Sequence, residues 1–405
     1  MDIVTAVYYV ESEDIEGAAI AIAKEQSTGT WTYVGYETRG IQQKYGAKVE
    51  EIDEENRIVG ISFPLEDFSI EKGGISNILS IVAGNLFGLK ELENVRLLDV
   101  RFPREFVKKF RGPNFGIPGI RKIVGTKDRP HLGTIVKPKI GLDPKSFAAV
   151  CYEAAMGGVD FIKDDETLAN QVFCPIEERI TSVVEKLDLV REERGKRVLY
   201  SPNVTSDNIM ETAQLAIDNG ANALMIDVIT AGFPALRALN ENFKLPIHVH
   251  RTMHAAFTKN PKHGIAMLVL SKLVRLAGGD QLHVGCPFGK MEGSARAIKE
   301  NHDALRNEWH GLKPVFPVCS GGVHPLLVEG NLKVSGKDIV IQAGGGIHGH
   351  PLGTRGGAMA MRQAIDAFME GIAIGRYAEE HKELKMALEK WRKDEGLLRY
   401  KRMSM

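Results

Sequence analysis

Cysteine is scarce in this chain. The four thiols, Cys151, Cys174, Cys286 and Cys319, lie far apart and form no Cys-x-x-Cys pair. Zinc-ribbon and thioredoxin-like chemistry are thereby excluded, and the thiols read as core residues of a reducing compartment. Net charge is absent as well, 52 basic residues balancing 52 acidic ones. That balance argues against nucleic acid or an anionic membrane as the principal partner, and any anionic substrate must be held by local groups. No apolar run approaches bilayer length, and Met1-Asp2-Ile3-Val4 puts no basic region before an apolar stretch. The expectation is a cytoplasmic protein with no membrane partner. Low-complexity segments are missing too. What is present, 405 residues of which 43% are hydrophobic and 26% charged, is ordinary globular composition with length for more than one structural unit.

The texture changes near Gly112-Pro113. Upstream, Ile3 to Val10, Thr30 to Tyr36, Ile58 to Phe63 and Val95 to Phe102 read as strands, with helical patterns at Ile15 to Lys24 and Ile75 to Leu86. This predicts a small α+β unit over residues 1–112. Downstream, over 113–405, apolar strand-like runs alternate with amphipathic stretches. The runs are Leu132 to Lys137, Asp160 to Lys163, Val198 to Pro202, Ala223 to Ile229, Ile247 to Arg251, Gln281 to Val284, Val315 to Cys319 and Ile339 to Gln342. Helical stretches such as Ser146 to Met156, Ile180 to Glu193, Ile209 to Ile217, Ile265 to Leu276 and Pro325 to Leu332 lie between them. The fold class is therefore α/β, and the alternation predicts a (β/α)8 TIM barrel better than an open doubly wound sheet. Glu379 to Arg402 reads as a charged surface helix forming a C-terminal tail.

Polar residues collect at one end of that barrel. Lys163-Asp164-Asp165-Glu166 follows the apolar run Gly158 to Ile162. Alone, such a motif is at home on a solvated helix face. At the C-terminal end of a buried strand it puts a reactive lysine beside carboxylates, where barrel enzymes assemble their chemistry. A lysine there can add CO2 to become a carbamate, an anionic oxygen ligand; with Asp165 and Glu166 it would make an all-oxygen site suited to Mg2+. Lys137 and Lys139 close the first strand, His250 and Arg251 the fifth, His283 the sixth, Ser320-Gly321-Gly322 the seventh and Gly344-Gly345-Gly346 the eighth. Each has a plainer reading: surface lysines, or core histidines at His248 and His250 satisfied by backbone. Gly344 to Gly349 fits G-x-G-x-x-G, but a late barrel strand suits a phosphate cradle better than a dinucleotide fold.

These residues resemble the large subunit of ribulose-1,5-bisphosphate carboxylase/oxygenase, RuBisCO, over nearly the whole chain. The resemblance rests on Glu25-Gln26-Ser27-Thr28-Gly29-Thr30-Trp31-Thr32, Gly84-Asn85-Leu86-Phe87-Gly88, Lys137-Pro138-Lys139, Gly158 to Glu166, and His250-Arg251-Thr252-Met253-His254. It continues through Gly279-Asp280-Gln281-Leu282-His283, Gly289-Lys290-Met291-Glu292-Gly293, Ser320-Gly321-Gly322-Val323-His324 and Gly344-Gly345-Gly346. The compact length is similar to the archaeal, form III branch, which needs no small subunit. The fold implied is the barrel preceded by a small α+β ferredoxin-like domain.

The resemblance implies Mg2+-dependent carboxylation and oxygenation of ribulose 1,5-bisphosphate through an enediolate, with CO2 and O2 as co-substrates and CO2 also as the activating carbamate on Lys163. Lys163, Asp165 and Glu166 would hold the metal, and His250 would move protons at the sugar hydroxyls. Lys137, with Lys139 beside it, would protonate the product's second carbon. Lys290, on a mobile loop, would stabilise the new carboxylate. Arg251, His283 and Ser320 would grip one phosphate; Thr30, Trp31, Gly321-Gly322, Gly344 and Gly345 the other. The family places Glu25, Thr30, Trp31 and Asn85 in the neighbouring subunit's site, which implies a homodimer with shared sites, or an assembly of such dimers.

The chain departs from the family in places. Ile135 stands where threonine is frequent, Cys286-Pro287-Phe288 replaces a threonine and two valines, and Met291 replaces leucine. These differences bear on loop closure and on CO2 against O2 selectivity. Within the superfamily the alternative is a RuBisCO-like enolase or isomerase acting on a methylthio-sugar phosphate; retention of Lys137, Lys139, His250, His283, Lys290 and Ser320 favours the carboxylase. A carbamate-bridged binuclear hydrolase would carry its His-x-His pair on the first strand, which here carries lysines. A phosphosugar-binding regulator would need neither Lys137 nor Lys290.

Overall fold

In a computed structural model the described residues are 3–30, 32, 34–291 and 293–394. Among them the strands run in chain order as β1 (Ile3–Glu11), β2 (Lys48–Asp53), β3 (Ile58–Pro64), β4 (Asn94–Arg101), β5 (His131–Ile135), β6 (Phe161–Lys163) and β7 (Leu199–Ser201). They continue as β8 (Leu224–Asp227), β9 (Ile247–His250), β10 (Gly264–Ile265), β11 (Gln281–His283), β12 (Phe316–Ser320) and β13 (Val340–Ala343). Two compact units are discontinuous in sequence. Met1–Gly112 is joined by Met253–Ala277 and Glu308–Leu312; Pro113–Thr252 is joined by Gly278–Asn307 and Lys313–Met405.

The first unit is built on a sheet of order β10-β4-β1-β3-β2. Its centre is β1, where period-two alternation buries Val4, Ala6, Tyr8 and Val10 on one face. The buried Tyr8 hydroxyl is satisfied by donating to the Val82 carbonyl at 2.7 Å. The helix Ile15–Glu25 begins where the Asp14 carboxylate accepts from the Gly17 amide, and it lays Ala18, Ala19, Ile22 and Ala23 inward. Two sequence expectations are corrected. Among the described residues of Thr30 to Tyr36 there is no strand, only loop, bend and turn. A strand instead forms at β2, whose Lys48-Val49-Glu50-Glu51-Ile52-Asp53 lies at the sheet edge with no residue buried and so carries no apolar alternation. The two-residue β10 pairs parallel to β4 and leads into the helix Met267–Ala277.

The second unit is the barrel. Eight parallel strands run in the order β7-β6-β5-β13-β12-β11-β9-β8, every expected run being present as three to five residues of strand. The two ends of this order meet: Asn203, just past β7, bridges to Met225 of β8, and the Met225 amide donates to the Pro202 carbonyl at 3.0 Å. The helix Gly116–Val124 stops one mouth. Its Ile117 and Ile120 pack on Phe161, Leu199, Phe316 and Val340, each the first residue of its strand. Carboxylates brace the same end. Asp160 takes both Arg129 guanidinium nitrogens at 2.7 Å, Arg362 at 2.6 Å and the Leu132 amide at 2.9 Å. Asp280 accepts from the amides of Phe115, Gly116 and Ile247. With the strand beginnings closed, only the C-terminal ends are free for chemistry. Of the expected tail helix the structure has Lys382–Trp391; residues beyond 394 lie outside the described part. Among the described residues no helix is long and apolar enough to cross a membrane.

Candidate active site

Most barrel strands end on a polar side chain. Lys163 ends β6, Asp227 ends β8, His250 ends β9, His283 ends β11 and Ser320 ends β12. A strand buried on both faces leaves little room for charge along its length, so polar groups gather where it emerges.

Lys163 is fully buried, and its ammonium donates to the Asp164 carbonyl at 2.8 Å and stands 3.4 Å from Glu166 Oε2. Burial holds its amine below the ordinary lysine pKa, against the pull of Glu166, Asp227 and Asp165. The neutral amine is the form that adds CO2. Lys137 reaches across from the end of β5 to Asp165 Oδ2 at 2.6 Å, and its stem lies on Gly344, where a Cβ would stand 3.4 Å from Lys137 Cε. His250 Nε2 lies 3.7 Å from Glu166 Oε2, while its Nδ1 donates to Asp227 at 2.6 Å. Asp227 thus fixes the ring and its tautomer. Sequence reasoning missed Asp227, although it ends the run Leu224-Met225-Ile226 just as Lys163 ends its own.

Asp164, given no role by the motif, points the other way. It is fully buried, paired with the equally buried Arg179 at 3.1 Å, and accepts from the Tyr200 hydroxyl at 2.7 Å and the Asn203 amide at 3.0 Å. Burial opposes charge on Arg179, yet Asp164 beside it lifts its pKa above the ordinary arginine value. Asn203 also donates through Nδ2 to the carbonyls of Glu166 and Leu168. The motif therefore alternates: Asp164 anchors the turn in the core while Asp165 and Glu166 face the site.

A chain of neutral side chains crosses the barrel beside this cluster. Ser320 Oγ meets His283 Nδ1, His283 Nε2 meets His248 Nε2, and His248 Nδ1 meets the Gln281 side-chain oxygen, each at 2.8 Å. Burial drives both histidines well below their ordinary pKa. Because the amide oxygen can only accept, His248 donates through Nδ1, His283 donates to His248, and Ser320 donates to His283. Burial also lowers the Arg251 guanidinium, to about 10, and among the described residues no carboxylate pairs with it. Gly321 and Gly322 both have positive φ, +104° and +75°, and a Cβ on Gly322 would lie 2.9 Å from Lys290 Cγ. Gly345 has open space where a side chain would be. Lys139 and Lys290 are exposed.

Glu25, Thr30 and Asn85 belong to the first unit. There the Gln26 amide donates to the Ile81 carbonyl at 2.8 Å, and a Cβ on Gly84 would lie 3.2 Å from Gln26 Oε1. The turn carrying the exposed Asn85 is thus held against the end of the Glu25 helix. Trp31 and Glu292 lie outside the described residues.

Residues 116–391 match the family described as ribulose bisphosphate carboxylase large chain, catalytic domain, and residues 1–106 match the corresponding N-terminal domain. The chain belongs to the RuBisCO large-chain family. A ribulose bisphosphate carboxylase of Methanocaldococcus jannaschii is 46% identical over 407 residues, covering 95% of each chain. The structure of octameric RuBisCO from Pyrococcus horikoshii, solved with sulfate, superimposes with a TM-score of 0.92 at 42% identity, covering 97% of this chain and 94% of that one. Dimeric archaeal RuBisCO from Hyperthermus butylicus gives 0.88 at 41% identity, covering 96% of each. RuBisCO membership leaves the binuclear hydrolase reading without support.

Proposed function

We propose that this protein carboxylates ribulose 1,5-bisphosphate, and oxygenates it in competition, at the C-terminal mouth of its barrel. The observation carrying this is the convergence of Lys163, Asp165 and Glu166 with Lys137 and His250, in a chain 46% identical to a carboxylase along its length. Among the described residues no three His, Cys, Asp or Glu side chains form a ready-made metal site. In this reading Lys163, as its carbamate, joins Asp165 and Glu166 as a third oxygen ligand, and such a hard donor set fits Mg2+. Bound there, the metal supplies a Lewis acid that stabilises negative charge on the sugar's oxygens.

The protein's own groups do the rest. His250, held by Asp227, moves a proton at a sugar hydroxyl. Lys137, positioned between Gly344 and Asp165 with Lys139 nearby, delivers the final proton to carbon. Lys290 stabilises the carboxylate that appears as CO2 adds. Arg251, a half-buried cation that no carboxylate pairs with among the described residues, grips one phosphate with His283 and Ser320. Gly321, Gly322, Gly344 and Gly345 present backbone to the other, with Thr30 and Trp31. Glu25, Thr30, Trp31 and Asn85 act in a partner's site, so the working unit is a homodimer, free to assemble further, without a small subunit. Two domains, 1–112 and 113–405, and a cytoplasmic location complete the reading.

Incubation with ribulose bisphosphate, Mg2+ and labelled bicarbonate tests it: acid-stable label should enter 3-phosphoglycerate, faster after preincubation with bicarbonate and Mg2+, and Lys163→Ala should abolish it. Proton exchange at the third carbon with no label fixed would instead identify an enolase or isomerase. Mixing inactive Glu25→Gln and Lys163→Ala protomers should restore some activity through hybrid dimers; no recovery, with subunit exchange demonstrated, refutes shared sites.

A further inference from the structure

The segment carrying Lys290 leaves the core at Phe288, and the structure gives that point of departure an unusual fixture. Asn331, fully buried on the helix Pro325–Ser335, accepts from the Phe288 amide at 2.9 Å and donates back to the Phe288 carbonyl at 2.9 Å. Its second amide hydrogen goes to the Leu327 carbonyl, one turn back on its own helix, at 2.9 Å. Both donors are used and the acceptor is engaged, so the side chain has no freedom to swing. The Phe288 ring is buried against Leu327, and the Cys286 thiol donates to the Ser320 carbonyl at 3.3 Å.

Beyond this fixture the chain lies on the turn after β12. The Lys290 amide donates to the Gly321 carbonyl at 2.9 Å; a Cβ on Gly289 would stand 2.4 Å from that oxygen and 2.5 Å from Cys286 Sγ. Gly289 has no slack in which to absorb a displacement of Phe288. The helix that supplies Asn331 begins directly after the turn on which Lys290 rests, so the clamp and the turn belong to one continuous segment. We propose that Asn331 is a positioning residue for Lys290: by gripping both polar groups of the Phe288 peptide backbone it sets where the lysine-bearing segment starts and how its ammonium meets the reacting carbon. This rests on the reading of Lys290 given above. Nothing in the motifs that carry the family resemblance includes Asn331, and the clamp falls where this chain has its own Cys286-Pro287-Phe288 sequence.

The test compares Asn331→Leu, which keeps the volume and removes all three hydrogen bonds, with Asn331→Asp, which keeps the acceptor and sets a carboxylate against two carbonyls. Carboxylation kcat should fall on the order of 10- to 100-fold, as for other displacements of a positioned group by about an ångström. Exchange of the third-carbon proton and the KM for ribulose bisphosphate should stay within about twofold, because enolisation precedes the step Lys290 serves. The ratio of CO2 to O2 turnover should shift. Folded variants that carboxylate normally, or that lose exchange and carboxylation in parallel, overturn the inference. Lys290→Ala, run alongside, separates the two ideas. If it carboxylates normally, the reading of Lys290 is wrong; if it fails to carboxylate yet both Asn331 variants are normal, only the clamp is wrong. Should neither variant fold, hydrogen exchange on the unmodified protein decides: slow exchange at the Phe288 amide, matching Leu332 in the adjacent helix, supports the clamp, and open-loop exchange there overturns it.

Discussion

Replacing Arg179 with methionine should both unfold the barrel more readily and disable the site above it. The substitution preserves much of the volume, so the effect is electrostatic. Asp164 would keep the Tyr200 hydroxyl and the Asn203 amide but lose its countercharge in a place with no solvent. The carbonyls of Cys174 and Ala169, which take Arg179 donors at 2.7 and 2.9 Å, would be left bare. Breaking a buried ion pair costs about 3–5 kcal/mol; the two retained hydrogen bonds argue for the low end and the bare carbonyls for the high end, giving about 4 kcal/mol. For a unit of this size that is a fall of ~8–16 °C in melting temperature. Thermal unfolding followed by circular dichroism measures it, and the double variant Asp164→Asn/Arg179→Met should recover at least about 1 kcal/mol, because the stranded charge is gone. Since Asp164 lies between two site residues, kcat/KM of the folded fraction should fall by roughly 10- to 100-fold. A melting temperature within about 2 °C of the unmodified protein would refute the reasoning.

Asp160→Asn should cost about 3 kcal/mol, the low end for a buried pair because Arg129 keeps 25% side-chain exposure. Burial pushes the Asp160 carboxyl up, but Arg362 and Arg129 outweigh it and hold it below the usual range. It is therefore ionised in the fold at a pH where the unfolded chain is protonated; its stabilisation is present above about pH 4 and lost as pH falls below it. Urea midpoints of the two proteins should accordingly draw closer as pH falls below about 4; a constant gap would contradict the assignment. His131, pushed by burial to about 4, adds acid sensitivity in the same direction, lost as pH falls below about 6.5. Asp227→Asn should lower kcat by about 10²–10⁴-fold with little change in KM, by releasing the His250 tautomer; unchanged kcat would show that His250 needs no orienting partner.

The barrel was legible because its strands are continuous apolar runs, and the site because charge survives only where those runs end. What escaped were residues whose role lies in a distant partner. Asp227 carried a readable signal, its place at a strand end. Asp164 did not, since nothing local says which carboxylate of a pair turns inward to Arg179. Asn331 looks like one more polar residue in an amphipathic helix until Phe288 is seen beside it. The edge strand β2 lacked alternation because none of its residues is buried, and β10 is two residues long, made by pairing with β4 from far along the chain. Thr30 to Tyr36 shows the opposite error, a run of strand-forming side chain types whose described residues form no strand.

Asn203 has a consequence for how the molecule is made. The residue that bridges β7 to β8 through Met225 is the one whose amides hold Asp164 and Glu166. An unclosed ring would lack this support for the turn bearing the metal ligands, and a chain caught with β7 and β8 apart would have every reactive side chain yet no place to use them. The seam of the ring and the turn bearing the metal ligands thus share one residue, so a change at Asn203 reaches both.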